Sequence, residues 1–292
     1  MKACSPYLKS HRYGLIGHPI AHSGSPALFR RAYGGKWPYD LIETPSFDEA
    51  WERFLDAYDA INITAPFKEK AAARADIKSP EVQSIGAANI AVKTRCGVKV
   101  FNSDYLGVRM LLERLTEGMP DKKTDETSGR REEDTGSGPL RALVVGYGGA
   151  GKAAAAAARD MGLETTVCNR SDHGLASIRP LSEIPASGAD IVLYTLPMLI
   201  PEMEAYFARI RKGDLPCPRL LIEANYRDPV FSPAFPDIAF PHPVPDGGKA
   251  FPSVPARSVP LPEGCRYIPG EDWLLAQAVT GYEILTGIKP EL

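Results

Sequence analysis

Cysteine is scarce and unpatterned in this chain: Cys4, Cys96, Cys168, Cys217 and Cys265 are odd in number, widely spread and free of any Cys-x-x-Cys pair. That usage excludes a zinc knuckle and a disulfide-stapled scaffold, and predicts a reduced, cytoplasmic protein. The five histidines, His11, His18, His22, His173 and His242, also lack zinc-ligand spacing, so no metal is expected. Neither sign of charge dominates. A formal net charge of -2 argues against a general binder of nucleic acid or of an anionic membrane surface. Long apolar runs are missing too. The alanines Ala153 to Ala158 are closed off by Lys152 and Arg159, and Met1-Lys2-Ala3-Cys4-Ser5-Pro6 carries no signal-peptide core. What is present, 44% hydrophobic and 24% charged residues over 292 positions, suits a soluble globular protein with room for two domains.

Short apolar runs alternate with helical patterns from Tyr13 to about Leu112, beginning with Tyr13-Gly14-Leu15-Ile16-Gly17 and a helix from about Pro26. Such alternation predicts an α/β layer fold. Phe47, Trp51, Phe54, Leu55 and Tyr58 recur at helical spacing and are expected to face a core. The residues from Thr116 to Gly138 are nearly all Lys, Asp, Glu, Thr, Ser and Gly, too polar to bury a core, and read as a linker. A substrate domain over 1–115, a linker or insertion over 116–138 and a dinucleotide domain over 139–270 follow, with a last helix over 271–292. Ten of the 27 prolines fall between Pro229 and Pro262, which favours an extended excursion over regular structure.

Two segments carry chemistry. Asn62-Ile63-Thr64-Ala65-Pro66-Phe67-Lys68 runs a β-type stretch into a helix start and leaves a lysine on the first turn. The positive end of a helix disfavours a protonated amine, which is unusual for a structural lysine and suits one that transfers protons. Further on, Ala142-Leu143-Val144-Val145 enters Gly146-Tyr147-Gly148-Gly149-Ala150-Gly151 and an alanine-rich helix. Strand, glycine turn and helix in that order form the context in which backbone amides accept a pyrophosphate. The next strand, Thr165-Thr166-Val167-Cys168, ends at Asn169-Arg170-Ser171, where NAD-specific sites usually carry an acid; arginine suits a 2′-phosphate. NADP is therefore expected, with NAD as the alternative.

Other polar groups stand near element ends. His22-Ser23-Gly24-Ser25-Pro26 sets two hydroxyls ahead of a helix, where serines either cap the helix or bind an oxygen-rich ligand, and capping alone accounts for one of them. Asn89 follows Ser84-Ile85-Gly86-Ala87-Ala88, and Asp104 follows Phe101-Asn102-Ser103. Trp273, Leu274, Gln277, Gly281 and Ile284 share one helix face, so the Gln277 amide stands on a largely apolar side and needs a partner.

In order along nearly the whole chain, these motifs, with Leu275-Ala276-Gln277-Ala278, resemble the shikimate dehydrogenase family. The resemblance implies an N-terminal α/β substrate domain, a Rossmann-type NADP-binding domain and a C-terminal helix that returns to the first. It further implies reversible, NADPH-dependent reduction of 3-dehydroshikimate to shikimate, on the route to chorismate and aromatic amino acids. Lys68 and Asp104 would be the catalytic pair. Ser23 and Ser25 would hold the substrate carboxylate, and Thr64, Asn89 and Gln277 its hydroxyls, with Tyr226 also on the substrate. Gly146, Gly148, Gly149, Ala150, Gly151, Asn169, Arg170, Ser171 and Gly270 would line the cofactor. A monomer or homodimer acting on a small molecule is implied, without nucleic acid or membrane.

Departures from the family pattern are Ile90 for a threonine, Glu223 for an aspartate ahead of Tyr226, and Pro269-Gly270 for Asp-Gly. Asp172-His173-Gly174 lacks the second basic residue, and Leu193-Tyr194-Thr195-Leu196-Pro197 replaces a small, polar stretch. Two rivals are an NAD-dependent quinate/shikimate dehydrogenase and a non-catalytic dinucleotide sensor of the same architecture.

Overall fold

A computed structural model describes residues 10–117, 119, 138–226, 228–232 and 259–292. Most of the expected linker and of the proline-rich stretch lies outside the described residues. The chain divides into two compact units, one of Met1–Val108 with Leu275–Leu292, the other of Arg109–Leu274.

The first unit runs β1 (Tyr13–Gly17), α1 (Ser25–Ala32), β2 (Tyr39–Glu43), α2 (Phe47–Ala57), β3 (Ala60–Ile63) and α3 (Lys68–Arg74). It continues with β4 (Ile77–Lys78), α4 (Pro80–Ile85), β5 (Ile90–Thr94), β6 (Gly97–Phe101) and the start of α5 (Ser103–Thr116). Its sheet has the order β2-β1-β3-β5-β6-β4. The first three strands are parallel, whereas β5 is antiparallel to both β3 and β6. The register Leu15↔Asn62, Asn62↔Ile90 and Ile90↔Phe101 brings the C-terminal ends of β1, β3 and β6 and the N-terminal end of β5 to one edge. Everything chemically distinctive in this half of the sequence lies just beyond those ends.

Two apolar layers hold the sheet. On one side α2 buries Phe47, Trp51 and Phe54 against Ile16, Ile61 and Phe67. Ser46 caps α2 by accepting the Glu49 amide at 3.3 Å, which satisfies a donor the helix itself cannot. Of the expected stripe, Tyr58 is buried as the residue that ends the helix, but Leu55 is 43% exposed. It follows Phe54 directly, and one residue step turns the side chain by about 100°, off the buried face. On the other side, Tyr13, Phe29, Ile90 and Val92 pack with Ala278, Tyr282 and Leu285 of α8 (Gly270–Thr286). The C-terminal helix thus completes the core of the N-terminal unit, in agreement with the expected fold.

The second unit holds β7 (Arg141–Val145), α6 (Gly149–Asp160), β8 (Glu164–Asn169), β9 (Ile178–Pro180), β10 (Ile191–Tyr194) and α7 (Pro201–Arg211). Then come β11 (Leu220–Glu223), the short pair β12 (Phe231–Ser232) and β13 (Val259–Pro260), and β14 (Arg266–Ile268). The main sheet is parallel in the order β14-β11-β10-β7-β8-β9. Read from its other edge, this is the doubly wound order, whose direction reverses between β7 and β10. The residues of α6 are small where they are buried, Ala153, Ala154, Ala155, Ala157 and Ala158 among them, so the helix lies close on the sheet.

One cysteine departs from the expectation of a fully reduced chain. Cys96 is disulfide-bonded, whereas Cys168, Cys217 and Cys265 are free thiols. Among the described residues no helix is long and apolar enough to cross a membrane.

Candidate active site

Lys68 is the first residue of α3, and its Nζ donates to Asp104 Oδ2 at 2.6 Å. The two come from opposite ends of a long sequence gap, one from the turn after β3 and one from the first turn of α5 after β6. Asp104 is nearly enclosed, with 7% of its side chain exposed against 25% for Lys68. A carboxylate held this way fixes the amine in place while leaving part of it open to a ligand. The pairing also refines the reading of Lys68. Its helix has only seven residues, and the carboxylate is its strongest neighbour, so an ion pair and not the helix end alone defines its surroundings.

A hydrogen-bond frame fixes Asp104 in turn. Asn102 accepts the Tyr105 amide at 3.0 Å, capping α5, and donates from Nδ2 to the Ala87 carbonyl at 3.0 Å. Asn89 accepts the Ser103 amide through Oδ1 at 2.7 Å and donates from Nδ2 to Ser103 Oγ at 3.1 Å. Both asparagines are buried, as such amides are when partnered. The bond from the Ala88 amide to the Lys68 carbonyl, 2.9 Å, ties the turn before Asn89 to the start of α3.

Of the two alternatives for the hydroxyl pair, capping is not the one observed. The N-cap of α1 is Gly24, with no side-chain cap bond. Ser23 Oγ instead donates to Ser25 Oγ at 3.1 Å and accepts the Ser25 amide at 3.3 Å, so both hydroxyls gather at the helix start. Thr64 is half-buried and turns the chain through the Phe67 amide, which donates to its carbonyl at 3.0 Å. Gly17 gives it room: a Cβ there would come within 2.4 Å of Thr64 Cγ2. Gln277 is half-buried on α8, and a Cβ at Gly107 of α5 would come within 2.6 Å of its backbone nitrogen. Gly107 therefore lets the two helices meet and brings Gln277 to the same unit as Lys68 and Asp104.

Tyr39 and Asn62 escaped the sequence reading of the site. The Tyr39 hydroxyl donates to Asn62 Oδ1 at 2.7 Å and also engages Ser25, and burial pushes its phenol well above the ordinary value. Its neighbours make it part of the polar group around the two serines.

In the second unit, Gly146 takes φ +99°, open to glycine and strained for other residues, and a Cβ at Gly151 would come 2.2 Å from the Gly146 carbonyl oxygen. By contrast a Cβ on Gly148 would meet nothing within 4 Å, and no side chain caps α6. The turn is thus tight where backbone meets backbone and open where the first amides of α6 emerge. Gly149, Ala150 and Gly151 form its first turn. Asn169 Oδ1 accepts the Tyr147 amide at 3.2 Å and Asn169 Nδ2 donates to the Ser171 carbonyl at 2.8 Å, which sets Arg170 exposed beside the turn. Such a pocket of free amides with an adjacent guanidinium fits a dinucleotide bearing a further phosphate. Tyr226 lies in the loop after β11, and Gly270 lies beneath that loop: a Cβ there would come 2.4 Å from the Asn225 carbonyl carbon and oxygen. Close backbone packing explains why this position is glycine.

A mixed α/β unit carrying a lysine–aspartate pair among amides and hydroxyls, in one chain with a Rossmann-type unit, defines a dehydrogenase-like two-unit architecture. Residues 15–91 match the family model for the shikimate dehydrogenase substrate binding domain. Shikimate dehydrogenase (NADP(+)) of Thermus thermophilus is 37% identical over 165 residues, which are 55% of this chain and 56% of that protein. The chain thus spans little more than half the length of that relative. Another, shikimate dehydrogenase (NADP(+)) of Archaeoglobus fulgidus, is 26% identical over 96% of this chain and 94% of its own. A crystal structure of shikimate 5-dehydrogenase from Thermus thermophilus in complex with NADP(H) and shikimate superposes with a TM-score of 0.66 at 26% identity, over 96% of this chain and 95% of that one. The chain is thus similar in sequence and fold to members of the shikimate dehydrogenase family.

Proposed function

We propose that this protein is an NADP-dependent shikimate dehydrogenase that interconverts 3-dehydroshikimate and shikimate. The observation that carries the reading is the Lys68–Asp104 pair at 2.6 Å, set at the sheet edge where Ser23, Ser25, Thr64 and Asn89 also stand. Two hydroxyls at a helix start suit the substrate carboxylate, and Thr64, Asn89 and Gln277 suit its ring hydroxyls. Each hydrogen bond the polyol gives up to water must be remade in the site, so a dense set of donors and acceptors selects it. Tyr226, in the loop after β11, is assigned to the substrate as well.

NADPH, when bound along the glycine turn with Asn169, Arg170, Ser171 and Gly270 beside it, supplies the hydride. The carbonyl π bond breaks as the new C–H bond forms, and Lys68 Nζ delivers a proton to the oxygen, leaving a neutral amine that solvent reprotonates. Asp104 receives one of the amine hydrogens, aims the others and counters the lysine's charge until the proton is given up. Asn89 and Asn102 keep α5 from shifting and so keep that aim.

The test is the initial rate of shikimate-dependent nicotinamide reduction with NADP, run beside NAD and beside quinate. Turnover with shikimate and NADP alone supports the reading. Turnover mainly with NAD or quinate assigns the protein to quinate/shikimate dehydrogenase, and none with any pair overturns the enzyme in favour of a sensor.

A further inference from the structure

Glu223 is the last residue of β11 and is wholly buried, an unusual place for a carboxylate. Among the described residues it accepts from no basic side chain. Its oxygens accept the Val230 amide at 2.7 Å, the Phe231 amide at 3.4 Å and the Tyr267 hydroxyl at 2.6 Å. Glu223 and Val230 are the two feet of the loop that carries Asn225 and Tyr226, so a single side chain joins its beginning to its end. Around it the loop is braced at three further points. The Ala224 amide donates to the Tyr194 carbonyl at 2.9 Å, the Asn225 side chain bonds the Asp228 backbone, and Gly270 lies hard under Asn225 and Tyr226. Phe231, at the far foot, is anchored edge-on against Tyr194 and Phe207 at 4.9 and 5.7 Å between ring centres.

A burial this complete is costly for an acid that served only to fill space; leucine would fill the same room without the desolvation penalty. We infer that Glu223 is a positioning residue for substrate binding: its carboxylate clasps the loop closed and thereby sets the place of Tyr226. This rests on the proposed role of Tyr226 toward the substrate. Glu223 touches no reacting atom, so its effect falls on substrate affinity, not on proton transfer by Lys68.

The test combines Glu223→Gln, Glu223→Asp, Tyr226→Phe and the double variant Glu223→Gln/Tyr226→Phe in the full chain, with amide hydrogen exchange at Val230 and Phe231 as a readout independent of activity. Glutamine keeps one acceptor and loses the other, so the KM for shikimate should rise about three- to tenfold, the size expected for one or two hydrogen bonds. The kcat and the KM for NADP should stay within about twofold. Glu223→Asp should fall between wild type and Glu223→Gln, and the double variant should bind shikimate no worse than Tyr226→Phe alone. Faster exchange at Val230 and Phe231 should accompany the loss. An unchanged shikimate KM in a folded Glu223→Gln variant, or additive effects in the double variant, would overturn the inference. If Tyr226→Phe is silent while the two amides lose protection, the clasp is real but the role of Tyr226 is wrong, and the inference falls with that assignment. Retained protection of both amides would refute the clasp itself.

Discussion

Lys68 and Asp104 are ion-paired at 2.6 Å, so under the proposed mechanism their removal should be strongly non-additive. Lys68→Ala is expected to lower kcat about 10²- to 10⁴-fold, the usual contribution of a positioned general acid, with shikimate affinity changed far less. Asp104→Asn should lose a comparable factor, and the double variant little more than either single one; steady-state kinetics on the three decides it. Both residues were legible in the sequence because each sits in a short motif at an element end. Asn62 and Tyr39 were not. A tyrosine on a strand reads as core, and only the register of β2 beside β1, and of β1 beside β3, brings its hydroxyl to Asn62. Arg170 was legible for the opposite reason: an exposed arginine straight after a β8 that pairs with the glycine-turn strand needs no long-range information to be placed. Replacing it, Arg170→Ala, should weaken binding of 2′,5′-ADP about tenfold or more while leaving 5′-AMP nearly unaffected, as expected for loss of one charge-assisted contact; calorimetric titration with the two nucleotides reads the difference.

At the level of elements, the glycine turn of β7 and α6 illustrates how a sequence signal becomes a structural constraint. Gly151→Ala places a methyl group 2.2 Å from the Gly146 carbonyl oxygen, a contact that only backbone movement can relieve. The expected result is at least tenfold weaker NADPH binding, followed by nicotinamide fluorescence, with a loss of about 1–3 kcal/mol in stability from overpacking. Gly148→Ala meets no neighbour within 4 Å, so it should leave stability nearly intact and act on the nucleotide alone. The contrast between the two variants separates a structural glycine from one that leaves space for a ligand. Elements with a clean period and flanking turns were readable in this way: β1, β7, α6 and the core face of α2. The pairing of β12 with β13 was not, because two-residue strands carry no periodicity. Nor was the arrangement of Ser23 and Ser25, since a hydroxyl ahead of a helix can cap it or bond its neighbour, and the sequence does not choose between them.

For the molecule as a whole, the buried Glu223 makes stability depend on pH in a direction opposite to that of most acids. Its carboxyl is pushed up from 4.5 to about 7, first by burial and then by the charge of Glu271, while the Tyr267 hydroxyl and the Val230 and Phe231 amides pull the other way. The folded protein therefore keeps a proton that the unfolded chain releases above about pH 4.5. Between that value and pH 7 the unfolded state gains from ionisation and the folded state does not, so this group's contribution to stability falls as pH rises. A displacement of this size corresponds to at most about 3 kcal/mol. The difference between wild type and Glu223→Gln isolates the one group, because glutamine does not titrate. Thermal midpoints of the two, measured from pH 5 to pH 8 in one buffer series, should converge on the alkaline side, where the wild type carries a buried charge, and separate on the acid side in favour of the wild type. A separation independent of pH would mean that Glu223 ionises in the folded protein as it does in the unfolded chain, and that its burial costs the structure nothing.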